Sequence, residues 1–133
     1  MMIGTSDIDE EALGRLIPLF YDRVRQDPLL GPVFDGAVHD WPAHLETLTA
    51  FWSSVMLTSG RYKGNPMRAH LAHRDTITPE MFERWLTLWA EITDRHMPQE
   101  SAVAMQAKAA RIAESLQLAL FFRLDPPARQ ATA

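Results

Sequence analysis

The chain contains no cysteine. Disulfides, thiolate metal sites, cysteine nucleophiles and covalent attachment of a prosthetic group through C-x-x-C-H are therefore excluded. A basic excess is missing as well: 13 Lys and Arg stand against 17 Asp and Glu, a net charge of −4. Nucleic acid is thereby excluded as the main partner, because a phosphate-binding face needs clustered positive charge. No run is long and apolar enough for a membrane span; the longest uncharged stretch, Thr47 to Gly60, is short and contains Ser and Thr. The opening residues MMIGTSDIDEEA lack the apolar segment of a signal peptide. A cytoplasmic chain that meets neither membrane nor nucleic acid is the resulting expectation. Glycine-rich phosphate loops, G-x-S-x-G and H-E-x-x-H are absent too. None of the eight glutamates is followed three residues later by histidine, so the Glu-x-x-His pairs of a di-iron bundle are lacking.

What is present is enough apolar material for one core: 133 residues, 47% of them hydrophobic. The apolar positions recur in steps of three and four, with no alternating strand, which predicts an all-α domain of four main helices plus short ones. The first stripe is Leu13, Leu16, Ile17, Phe20, Tyr21 and Val24, with Ser6 as a candidate cap and Pro18 expected to kink or divide it. Asp27-Pro28 ends the stripe, and Gly31-Pro32 is read as extending the break into a turn. A second helix starts near Asp40, carries Trp41, His44, Leu45, Leu48, Trp52, Val55 and Met56, and closes at Gly60. Asn65-Pro66 starts a short helix bearing Met67, His70, Leu71 and His73. Thr78-Pro79 starts a long one with Met81, Phe82, Trp85, Leu88, Trp89 and Ile92. The last runs from about Pro98 to Leu124, and the polar, Pro-rich tail at 125–133 is expected to be flexible.

The candidates for chemistry are few. His44 and His70 lie 26 residues apart on separate helices, each among apolar neighbours. Spacing alone reads them first as hydrogen-bonded core or boundary residues, and His39 and His96 as solvated. Tyr21, Phe82 and Trp85 are most simply core aromatics. A buried Tyr hydroxyl and indole N–H nevertheless both need partners, so two inward donors and two inward histidines also describe a polar site in an apolar pocket.

The run from Trp41 to Glu91 contains, in order, W-x-x-H-L, F-W, Y-x-G-x-P-x-x-x-H and F-x-x-W-L. Upstream stands IPLFYDRVRQDPLLGPVF, with Phe-Tyr followed by L-G-P-x-F. Five elements at this spacing closely resemble the group III truncated haemoglobins, over about Leu13 to Phe122. The resemblance implies a truncated globin domain over 1–124, a two-over-two helical sandwich around non-covalent haem b. It makes His70 the proximal iron ligand, Tyr21 and Trp85 distal hydrogen-bond donors, His44 a pocket gate and Leu48 its neighbour one turn on. It places Phe34, Tyr62, Met67, Leu71, Phe82 and Arg68 beside the haem. Pro18 departs from the family pattern, and His73 has no assigned role. Arg61, Lys63, Arg68 and Arg74 flank the proximal segment, and one or two of them are expected to meet the haem propionates.

The function implied is binding of dioxygen, carbon monoxide, nitric oxide or peroxide at a five-coordinate haem iron. A second reading is an enzyme with peroxidase-like or nitric-oxide-consuming turnover, served by an unidentified reductase. A third is a haem-free helical interaction module, which a visible spectrum separates from the other two.

Overall fold

The computed structural model describes residues 8–122. Ser6 and the tail from Asp125 lie outside the described residues. Every regular element within them is a helix: α1 (Glu10–Gln26), α2 (Gly31–Ala37), α3 (Trp41–Leu57), α4 (Pro66–Leu71), α5 (Pro79–His96) and α6 (Gln99–Phe121). The all-α expectation holds. No helix among the described residues is long and apolar enough to cross a membrane.

α1 begins at Asp9, whose carboxylate accepts the Ala12 N–H at 2.8 Å. Glu10 and Glu11 in its first turn and Arg23 and Arg25 in its last complement the helix dipole. The helix runs through Pro18, so the expected division does not occur. Pro18 costs the bond to the Gly14 carbonyl, but both residues face solvent, where water can take that carbonyl. The whole predicted stripe from Leu13 to Val24 is buried.

Gly31-Pro32 opens α2 instead of extending a turn. Gly31 must be glycine, since a Cβ there would lie 2.5 Å from the Arg25 carbonyl oxygen. The turn before it is organised by Asp27, almost fully buried at 1% exposure. One carboxylate oxygen accepts the N–H groups of Leu29 and Leu30 at 3.1 and 3.0 Å; the other accepts Arg84 Nε at 2.7 Å. Burial opposes ionisation of Asp27, but the Leu30 N–H, Arg84 and the Leu29 N–H outweigh it and hold its pKa below the ordinary value. Depression in the folded state means that Asp27 stabilises the fold above its unfolded pKa and loses that contribution as pH falls through the acid range. Asp27→Ala is expected to cost about 2–3 kcal/mol in urea unfolding at pH 7, combining a lost cap with a lost partner for half-exposed Arg84. The gap between parent and variant should narrow towards pH 3.

α3 is capped by Asp40 through the Ala43 N–H at 3.1 Å. It ends at Thr58, left-handed with φ 56°, two residues before the expected Gly60. Asn65 caps α4 through the Arg68 N–H at 3.1 Å, and α4 stops at Leu71, which leaves His73 in the following turns. Thr78 caps α5.

α1 packs on α2, α3 and α5, α5 packs on α6, and α4 leans on α6. The core between them holds Leu13, Ile17, Phe20, Val24, Leu88 and Met105, with Trp52 stacked on Trp89 at 4.4 Å. The Trp89 indole N–H donates to the Met105 carbonyl at 3.1 Å, which locks that ring. α3 and α4 scarcely touch each other.

Candidate functional site

The stripes of α3 and α4 are only partly covered by protein. Of the seven apolar-face residues expected on α3, only Trp52 is buried; His44, Leu45, Leu48, Val55 and Met56 stay half-buried. α4 buries no side chain, and its Met67 and Leu71 are 36% and 40% exposed. Two apolar helix faces that avoid each other mark the walls of a slot. An open groove of about 670 Å³ lies elsewhere, between α5 and α6 along Leu86, Ala110, Leu118 and Phe121. It holds no histidine or tyrosine, so the chemistry is sought at the slot.

On the α1 and α5 side of the site, Tyr21 is 4% exposed. It lies one turn beyond buried Ile17 on the inward stripe of α1, beside Phe20, whose ring meets it edge-on at 4.7 Å. The Trp85 indole N–H donates to the Tyr21 hydroxyl at 3.4 Å, across 64 residues of sequence. Burial pushes the Tyr21 pKa up to about 12, against a smaller lowering by the Trp85 bond, so the phenol is neutral at pH 7. Its oxygen is occupied by Trp85, while among the described residues no acceptor takes its own proton. A buried donor in that state calls for an acceptor. Phe34 packs on Tyr21 at 5.6 Å and Trp41 at 6.3 Å.

His44 is half-buried, with its ring edge-on to Trp41 at 5.6 Å. Burial lowers its pKa first, and the electrostatic influence of the neighbouring His70 ring lowers it further. It is therefore a neutral imidazole at pH 7. Leu48 follows one turn later, half-buried beside the same core.

His70 comes from α4. Its Nδ1 lies 2.7 Å from the Pro66 carbonyl oxygen, one turn back. A carbonyl can only accept, so Nδ1 carries a proton, and in the neutral ring Nε2 keeps its lone pair. An imidazole oriented in this way is a ready metal ligand. Phe82 lies near its face at a ring distance of 6.5 Å. The donor set, a free imidazole nitrogen, two neutral N–H and O–H donors and apolar walls, fits a flat iron-bearing group of the kind the resemblance implies.

The remaining expected contacts divide by charge and position. Tyr62 packs edge-on to Phe51 at 5.3 Å and donates its N–H to Ser54 Oγ at 2.9 Å. Arg61 is taken by Glu10, which also accepts from buried Ser53; Ser53 and Ser59 lie 2.6 Å apart. That network binds the start of α1 to the α3–α4 loop. Among the described residues Lys63, Arg68 and Arg74 have no carboxylate partner, which leaves them available to an anionic group. His39, His73 and His96 are exposed.

Sequence reasoning missed Asp27 and Arg25. Asp27-Pro28 was legible only as a stop, although a buried aspartate two and three residues before free N–H groups is a turn signal. Arg25 lies with its guanidinium 4.5 Å over the Trp41 ring and pairs with Asp35 at 3.3 Å. No spacing rule reports a contact of that kind between two helices.

No family model matches the chain. The protein named Group 3 truncated hemoglobin ctb, from Campylobacter jejuni, is 31% identical over 118 residues, which cover 86% of this chain and 92% of that protein. The crystal structure of a group III truncated haemoglobin from Campylobacter jejuni superposes with a TM-score of 0.79 at 31% identity, covering 90% of this chain and 96% of that one.

Proposed function

Because the chain belongs to the group III truncated haemoglobins, we propose that it binds dioxygen and related diatomic ligands at a five-coordinate haem b iron held by His70. Haem supplies an iron centre with one open position for a small ligand. The chain's own residues supply the rest. The Pro66 carbonyl fixes the His70 tautomer and ring direction, and its hydrogen bond raises the basicity of the other nitrogen. Met67, Leu71, Phe82, Leu48 and Phe34 give the apolar walls that keep water out. Tyr21 and Trp85 give two neutral donors. The carrying observation is the Tyr21 hydroxyl, buried, protonated to about pH 12 and with no acceptor for its proton among the described residues. Such a donor binds a partly negative ligand atom strongly, because little water competes in a dry site.

His44 acts as a gate in this reading, not as a permanent ligand. Reduced, ligand-free protein is expected to show a five-coordinate spectrum, and His44→Leu should leave it five-coordinate. A six-coordinate low-spin parent that turned five-coordinate in His44→Leu would reverse the assignment. The whole proposal is tested by one absorbance scan with dithionite and then carbon monoxide. A Soret band that shifts with both additions, and haem extractable by acid-acetone, are the expected results. A freshly purified protein that is colourless and takes up no added haem would sink it.

A further inference from the structure

A second opening reaches Tyr21, and His70 does not line it. Between α1 and the start of α3 lies a cleft of about 70 Å³ walled by Pro18, Tyr21, Asp22, Arg25, Trp41 and Leu45. One water needs only about 10–15 Å³ of such space, so the cleft has room for water or for a diatomic molecule. Its inner wall is the neutral Tyr21 phenol, and its flank is Trp41 and Leu45, so an ion finds no charge partner at depth.

Trp41 is placed to cover this cleft. It is the first residue of α3, and a helical side chain leans over the turn before its own Cα. At the first position no turn precedes it, so the indole projects past the helix end. One group of rings surrounds it: Tyr21 at 6.3 Å, His44 at 5.6 Å and Phe34 at 6.4 Å. The Arg25 guanidinium lies over it at 4.5 Å, tethered in turn to Asp35. Moving the indole therefore breaks a half-exposed cation–π contact and ring contacts at the edge of the core, not its centre.

We infer that this cleft is a port for small uncharged diatomic ligands, with Trp41 as its door and Arg25 as the latch. The inference rests on the haem-site reading above. Ligand reaching the slot by this path passes the Tyr21 hydroxyl first and does not require His44 to swing.

Carbon monoxide rebinding after flash photolysis of the reduced holoprotein tests it. Trp41→Ala should raise the bimolecular association rate about threefold to tenfold, and Arg25→Gln by about twofold to threefold. Asp22 touches the cleft only at its solvent lip, and Asp22→Trp should cover the mouth and slow association by a similar factor. Asp22→Trp should slow dissociation by the same factor and leave the equilibrium affinity unchanged, since it alters the path and not the bound state. Parental association rates in both Trp41→Ala and Asp22→Trp, with a faster His44→Leu, would overturn the port and leave the His44 side as the route. A parent without a Soret band would overturn the haem reading itself and the port with it; the spectrum separates the two failures.

Discussion

His70→Ala protein is expected to fold and to lose its haem. α4 is six residues long, buries no side chain and contributes one imidazole whose Nε2 is free. Removing that ring deletes the only protein ligand proposed for the iron and leaves apolar contacts that any flat hydrophobic molecule would share. Substitutions that only disturb a ligand's hydrogen-bond partner commonly cost about 10- to 100-fold in metal affinity, so loss of the ligand should exceed about 100-fold. The core from Leu13 to Met105 does not involve His70, and far-UV circular dichroism should stay helical. Haem titration followed at the Soret band reads the loss, and added imidazole should restore part of the spectrum by occupying the vacated position. Full haem occupancy with an unchanged Soret band in His70→Ala would refute the assignment.

The second large effect belongs to Tyr21 and Trp85. Hydrogen bonds to a partly charged acceptor contribute about 1.5–3 kcal/mol, or about 10- to 150-fold in a rate. Tyr21→Phe and Trp85→Phe should each speed dioxygen dissociation several-fold or more, and alter carbon monoxide dissociation less, because carbon monoxide carries less charge when bound. The two donors already touch at 3.4 Å. Removing Trp85 therefore also frees a lone pair on Tyr21, and the two substitutions should couple in a double-mutant cycle. With the phenol protonated up to about pH 12, dioxygen release should not follow Tyr21 ionisation anywhere between pH 6 and about 10. Parental release rates in both single variants would remove the distal assignment and leave His70 untouched.

The helices were legible because their evidence is local. The stripe from Leu13 to Val24, the Asp40, Asn65 and Thr78 starts and the α5 face all follow from spacing and from side chains that accept a nearby N–H. Helix ends were read less well. Thr58 took the left-handed position expected of Gly60, and Asp9 caps where Ser6 was favoured. Both errors come from several suitable residues lying within one turn of the true boundary. Gly31 misled for another reason: its lack of a side chain serves a close approach to the Arg25 carbonyl, which no sequence window displays.

The site was legible only as inward-facing residues. Periodicity turns Tyr21 and Trp85 towards the interior, but it cannot say that helices 64 residues apart bring them into contact. The family resemblance implied that both flank one ligand, but not that they bond to each other. It was silent on Asp27 and Arg84, which fasten the α1–α2 turn to the residue before Trp85. It was silent as well on the Arg25–Trp41 stack, whose partners lie on different elements and carry no motif.

The tryptophans give the molecule an optical property of its own. Trp52, Trp89 and Trp85 form a ladder, with ring separations of 4.4 and 6.2 Å, that runs from the centre of the core to the Tyr21 hydroxyl. Trp41 stands beside the same tyrosine, so all four indoles of the chain belong to one connected cluster. Indole emission falls where a porphyrin absorbs, and energy transfer over such short distances outruns emission. Protein loaded with haem should be nearly dark at tryptophan wavelengths and should brighten as haem leaves, so the chain carries a built-in fluorescent gauge of its own occupancy.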